Sequence, residues 1–268
     1  PYEGMPAQKS GLKEGDIVLA VEDEDMTQID GASVTDANKA GDLSSKVSSK
    51  LKGRPETIVK IKIQRPGEKK TREFKITREH IQVSSVPYYG ILPNSTVGYI
   101  CLTGFTDKSA QEVKDAFLDL KKQGITSLTL DLRGNGGGIL EESVQIINLF
   151  VPKGEVVLST KGKFKQMERI YRTTLAPVDT EIPLAVLVDR GSASASEIVS
   201  GALQDLDRAV IIGERTFGKG LVQLTRELPY GGSLKVTTSR YYIPSGRSIQ
   251  AIDYTHRNED GSVGRIPD

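Results

Sequence analysis

The sequence predicts two domains, a small strand-rich module over residues 1–82 and a layered α/β domain over residues 83–268. Three observations lead there. A chain of 268 residues has the length of one large or two ordinary domains, either with a substantial core. Its first third carries segments in which apolar and polar residues alternate, as on a sheet with one wet face. Its remainder alternates continuous apolar runs of strand length with amphipathic helical stretches, the pattern of a sheet covered by helices.

In the first module the turn Lys13-Glu14-Gly15-Asp16 leads into the apolar strand Ile17–Val21. Val34, Ala37, Ala40, Leu43, Val47 and Leu51 recur at three- and four-residue spacing, which predicts an amphipathic helix from Val34 to Leu51. Residues 57–64 alternate as a strand, and Pro66-Gly67 turns the chain into a second strand at Arg72–Thr77. The cations between Lys60 and Arg78 alternate with apolar residues and mix with Glu68, Glu73 and Glu79, so they read as a solvated strand face rather than a basic binding patch. Residues 81–95, with Pro87, Pro93 and the Asn94-Ser95 turn, read as the passage between domains. Beyond it, strands are predicted at 97–102, 127–132, 184–188 and 209–212, and helices at 107–123, 140–150 and 196–206. No internal repeat or low-complexity tract interrupts this order.

Lys+Arg 36 against Asp+Glu 35 leaves a net charge of +1, so no global field favours nucleic acid or anionic membrane. No apolar stretch approaches the roughly 20 residues of a membrane span, and the N-terminus lacks a signal-peptide pattern. The expectation is an excised fragment, truncated at its C-terminus. Cys101, the one cysteine, lies in an apolar run and reads as a buried core thiol. Of the two histidines, His80 follows the last strand of the first module and His256 lies in an Asn/Asp/Gly-rich tail, so neither has the setting of a catalytic base. One cysteine and two separated histidines make no metal-ligand cluster, and no metal or cofactor is expected.

Three constellations carry chemistry. Asp131-Leu132-Arg133-Gly134-Asn135-Gly136-Gly137-Gly138 runs from a strand through a glycine loop into a helix, where close-approaching backbone N–H groups suit an oxyanion or a phosphate. Ile139 stands where a dinucleotide fingerprint needs its third glycine, which argues against a nucleotide. Next, Ser192-Ala193-Ser194-Ala195-Ser196-Glu197 sits where a strand turns into a helix, a setting that exposes a nucleophile beside backbone amides. The same residues Ser194-x-x-Glu197 fit a capping box, in which the serine caps the helix, and Ser192 and Ser196 are equally open as nucleophiles. Finally, Gly218-Lys219-Gly220 presents a lysine that could deprotonate a serine if neutral, which requires lowering its pKa from about 10.4 toward 7 at roughly 4–5 kcal/mol. The glycines would let backbone pack around a buried amine, and Gln223, four residues on, falls on the same side and could orient it. An exposed turn lysine is the plain alternative.

Taken in order, these motifs resemble the C-terminal processing (tail-specific) serine peptidases. The resemblance continues through Ser239-Arg240-Tyr241-Tyr242-x-Pro244-Ser245-Gly246-Arg247-Ser248-Ile249-Gln250. It also reaches Gly4-x-Pro6-Ala7-x-x-Ser10-Gly11-Leu12-Lys13-x-Gly15-Asp16, which is similar to the family's PDZ module, although this chain starts after the segment that receives a substrate's terminal carboxylate. It implies that Ser194 is the nucleophile, Lys219 the general base and Gln223 the lysine-orienting residue, with backbone N–H groups of Gly138 and Ala195 as the oxyanion hole. It implies an α/β catalytic domain of the crotonase-like ββα type, preceded by a small, partial PDZ-like β-rich domain. The partners would be protein or peptide substrates with accessible, apolar C-termini, and the location a bacterial periplasm or cell envelope. Where the family often has proline before the threonine of the lysine motif, this chain has Arg215. Two other classes compete: a crotonase-like acyl-CoA enzyme, which has no need of the serine–lysine pair, and a catalytically silent peptide-binding module.

Overall fold

The computed structural model describes residues 1–2, 4–29, 32–33, 37–81 and 83–266. They divide into two compact units, Pro1–Val83 and Ser84–Asp268. In the first, a four-stranded antiparallel sheet has the order Glu24–Asp25, Ile17–Val21, Ile58–Gln64, Thr71–Thr77. The predicted alternation is realised along Ile58–Gln64: Val59, Ile61 and Ile63 are buried while Lys60 and Lys62 face water. With Val21, Met26 and Ile76 they form a small core, onto which Val47 and Leu51 of the helix Ala37–Leu51 pack. The predicted start of that helix, residues 34–36, lies outside the described residues. The turn before Ile17 is fastened by Arg65, whose Nε and Nη2 donate to the two Asp16 oxygens at 2.7 Å each. That guanidinium holds the Asp16 carboxyl down at about 2.

The second unit is built on a five-stranded sheet ordered Val210–Gly213, Leu184–Val188, Ser127–Asp131, Val97–Cys101, Tyr88–Ile91. The first four are mutually parallel, and Tyr88–Ile91 pairs antiparallel at the edge. That edge strand lies inside the segment read as a passage; Pro87 and Pro93 bracket it without interrupting its ladder. Helices Ser109–Lys122, Leu140–Asn148 and Ala195–Asp205 share one core with the strands, including Ile100, Phe117, Leu130, Phe150, Val186 and Val199. Cys101, expected in the core, is only half-buried, because it lies on the less covered face of its strand. A further antiparallel sheet, Arg169–Arg172, Val156–Gly162, Ser233–Tyr242 and Leu221–Glu227, was not predicted. Among the described residues no helix is long and apolar enough to cross a membrane.

Candidate active site

Two loops leave the carboxyl ends of neighbouring parallel strands, Ser127–Asp131 and Leu184–Val188, the usual place for a site in such a sheet. Asp131 closes the first strand, accepting from the Tyr99 hydroxyl at 2.6 Å and from Arg133 Nη2 at 2.6 Å. Asp189 then fastens the loops together. One of its oxygens accepts from Gly134 N–H at 2.8 Å, Gly191 N–H at 2.9 Å and Ser192 N–H at 3.1 Å. The Gly134 bond first, and those from Gly191 and Ser192 after it, hold this carboxyl below the usual carboxylate range. Asn135, fully buried, donates to the Leu102 carbonyl at 2.8 Å and accepts from Gly137 N–H at 2.9 Å. Its own carbonyl accepts from Ala193 N–H at 3.0 Å.

Within this frame the three serines are not equivalent. Ser192 is fully buried and donates to the Leu132 carbonyl at 2.8 Å; Ser196 is fully buried and donates to the Asn135 carbonyl at 2.9 Å. Ser194 is the half-buried one, at the N-cap of the helix with φ 57° and ψ −112°. A residue with a β-carbon in that conformation carries strain of order 1–3 kcal/mol, held in place by the bonds around it.

The glycine run has a steric cause. At Gly137, φ 94°, a β-carbon would stand 2.6 Å from the Ala193 carbonyl oxygen and 2.8 Å from Ser194 Cβ; at Gly138, φ 152°, it would stand 2.2 Å from the Phe105 carbonyl oxygen. The loop is thus pressed between the serine turn and residue 105. Phe105 bridges Gly138 in parallel fashion, donating to the Gly137 carbonyl at 3.2 Å and accepting from Ile139 N–H at 2.8 Å. In such a bridge the central residue's own N–H points the other way. Among the described residues, neither Gly138 N–H nor Ala195 N–H donates within the protein.

The lysine loop meets the serine turn through Glu197, 3 % exposed. Its Oε2 accepts from the N–H groups of Ser194 and Lys219, each at 2.8 Å, and its Oε1 from Gly218 N–H at 2.6 Å and Thr216 Oγ1 at 2.7 Å. The flanking glycines do not enclose the amine. A β-carbon on Gly218 would stand 2.2 Å from Ala251 Cβ and one on Gly220 would stand 2.5 Å from Gln250 N, so both glycines pack against the 250–251 segment. Lys219 is consequently exposed rather than buried, and lines a groove of about 880 Å³ with Phe217, Leu221, Gln223, Arg240 and Tyr254. Gln223 shares that groove, but its Nε2 donates to Thr237 Oγ1 at 3.4 Å. His80 and His256 are exposed, the latter bonded to Asp253 at 2.7 Å. Among the described residues no group of three or more metal-binding side chains gathers. Sequence reading missed Asp189, Asn135 and the lysine-loop bonds of Glu197, of which only the Ser-x-x-Glu spacing gave a signal.

Comparison with known proteins identifies the family. The chain is 35% identical over 264 residues to the chloroplastic C-terminal processing peptidase of Tetradesmus obliquus, covering 94% of this chain and 54% of that protein. It is 36% identical over 250 residues to a protein named "Probable CtpA-like serine protease" of Staphylococcus aureus, covering 93% and 47%. The chain therefore spans about half the length of these curated relatives. Among solved structures, the photosystem II D1 C-terminal processing protease superposes with a TM-score of 0.56 at 33% identity, over 91% of this chain and 62% of that one. Residues 96–256 match the model of peptidase family S41, and the chain belongs to that family.

Proposed function

We propose that the protein is a serine endopeptidase that cleaves protein substrates near their C-termini through an acyl-enzyme on Ser194, with Lys219 as general base. One observation carries this reading. Of the three serines on the turn only Ser194 is left unburied, on a strained N-cap against the glycine loop, and one buried carboxylate joins that turn to the Lys219 loop. Neutral Lys219 takes the Ser194 proton as the oxygen attacks the scissile carbonyl, and the N–H groups of Gly138 and Ala195 receive the oxyanion. The lysine returns the proton to the leaving amine, and water then cleaves the ester, restoring both side chains. A peptide seated in the groove covers Lys219. Gln223, in the same groove, exchanges its bond to Thr237 for one to the amine.

On this reading the catalytic unit is of the crotonase-like type and Pro1–Val83 is a partial PDZ-like domain that binds substrate tails with apolar ends. The bacterial periplasm or cell envelope, where unfolded tails are exposed, fits that task. The test is cleavage of an unfolded substrate with an apolar C-terminus by the intact protein, Ser194→Ala and Lys219→Ala. Wild type cleaves and both variants lose activity; full cleavage by Lys219→Ala overturns the dyad. Binding without cleavage by wild type would instead identify a peptide-binding module, and turnover of a coenzyme A thioester an acyl-CoA enzyme.

A further inference from the structure

A helix cap needs one acceptor bond from Glu197, and it has four. Three of the donors belong to Thr216, Gly218 and Lys219, on a loop remote in sequence from the serine turn. The N–H groups of Ser194 and Lys219 share a single oxygen, so both lie within one hydrogen bond of the same atom. The restraint matters because the Lys219 side chain is long and exposed, so its reach is decided at its root. The glycines on either side are pressed against Ala251 and Gln250, which leaves the four bonds of Glu197 to fasten this segment to the serine turn from the other side. Beyond Glu197, that backbone is held by Ala251 N–H, which donates to the Gly218 carbonyl at 3.0 Å, by Gly220 N–H, which donates to Gln250 Oε1 at 2.9 Å, and by Phe217 N–H, which donates to the Ser192 carbonyl of the serine turn at 3.0 Å; of these groups only the Glu197 carboxylate bonds to Lys219 N–H itself.

We infer that Glu197 is the positioning residue that sets the root of Lys219 against the Ser194 turn, so that the amine's reach is centred on the serine. This rests on the Ser194–Lys219 reading of the reaction. A glutamine at this place would meet donors with its own amide donor: the Thr216 hydroxyl can turn and accept, but whichever way the amide lies at least one backbone N–H faces N–H.

The experiment measures phosphonylation of Ser194 by a fluorophosphonate probe, together with peptide kinetics, in the intact protein. For Glu197→Gln, labelling and kcat fall about 100-fold, as expected for a misplacement near 1 Å, with KM little changed. In a Lys219→Ala background, the same substitution slows the residual labelling by less than about threefold, because the group it positions is gone. An equal loss in both backgrounds would mean general damage to the serine turn and overturns the inference, as does an undiminished rate in Glu197→Gln alone. Thr216→Val, which removes one donor only, is a milder second variant. It slows labelling about three- to tenfold with the same dependence on Lys219, and decides the matter where Glu197→Gln fails to fold. Absence of labelling at Ser194 in wild type refutes the underlying reaction, which is a separate result from a wild type that labels beside a Glu197→Gln that labels equally fast.

Discussion

Replacing Gly137 by alanine places a methyl group where the structure has no room. The new carbon would sit 2.6 Å from the Ala193 carbonyl oxygen, 2.8 Å from Ser194 Cβ and 2.9 Å from Ala195 N, all parts of the serine turn. Contacts between such atoms relax at about 3.5 Å or more, so the turn and the glycine loop must part by roughly 0.6–0.9 Å. A positive φ costs a non-glycine residue a further 1–2 kcal/mol or so. Displacement of that size at a nucleophile lowers kcat by about 100-fold, and the strain lowers the melting temperature by about 2–8 °C for a unit this large. Gly134 supplies the control. It lies in the same loop with φ 69°, yet a β-carbon there meets nothing within 4 Å, so Gly134→Ala carries backbone strain without the collision. The assay is peptide cleavage beside thermal melting for both variants. Gly134→Ala melts earlier but keeps kcat within about threefold, since the strain is not transmitted to Ser194. Equal loss of kcat in the two, or a Gly137→Ala enzyme as fast as wild type, refutes the claim that close packing of the glycine loop sets the serine.

Two further outcomes follow from the bonds described. Ser196→Ala loses a buried hydrogen bond to the Asn135 carbonyl and destabilises by about 1 kcal/mol while retaining cleavage, whereas Ser194→Ala loses a helix cap, destabilises by about 1 kcal/mol as well and is inactive; an inactive Ser196→Ala beside an active Ser194→Ala would reverse the assignment. Because Arg65 holds Asp16 at about 2 in the folded chain, below the ordinary carboxylate value near 4, the pair stabilises above about pH 4 and its contribution disappears as pH falls through about 2. The melting difference between wild type and Asp16→Asn should therefore vanish between pH 5 and pH 2, and a difference that stays constant contradicts the linkage.

What the sequence made legible tracks burial. Ile17–Val21 and Leu184–Val188 form over the predicted residues because each feeds side chains to a core, and the three helices of the second unit begin and end within two residues of expectation. The strands Leu221–Glu227 and Ser233–Tyr242 of the second sheet were opaque for the converse reason. Leu221–Glu227 is largely exposed, and Leu234 and Val236, which do alternate, are 50% and 38% exposed, so their pattern served no core. In the site, the motifs named the loops but not their fastenings. Ser192 and Ser196 are distinguished from Ser194 by the carbonyls of Leu132 and Asn135, backbone groups that leave no trace in residue identity. The glycines beside Lys219 were read as room for a buried amine, yet they fit Ala251 and Gln250, whose proximity only the folded chain reveals.

Asp189, Asn135, Glu197 and Gln250 all grip backbone N–H groups: those of Gly134, Gly137, Gly191, Ser192, Ser194, Gly218, Lys219 and Gly220. Every amino acid except proline offers that group. Four anchors therefore preserve the architecture irrespective of which side chains the gripped positions display, and sequence drift in these loops is limited by steric room and by chemistry rather than by the bonding itself. Proline is the exception, forbidden at eight places by the same four residues.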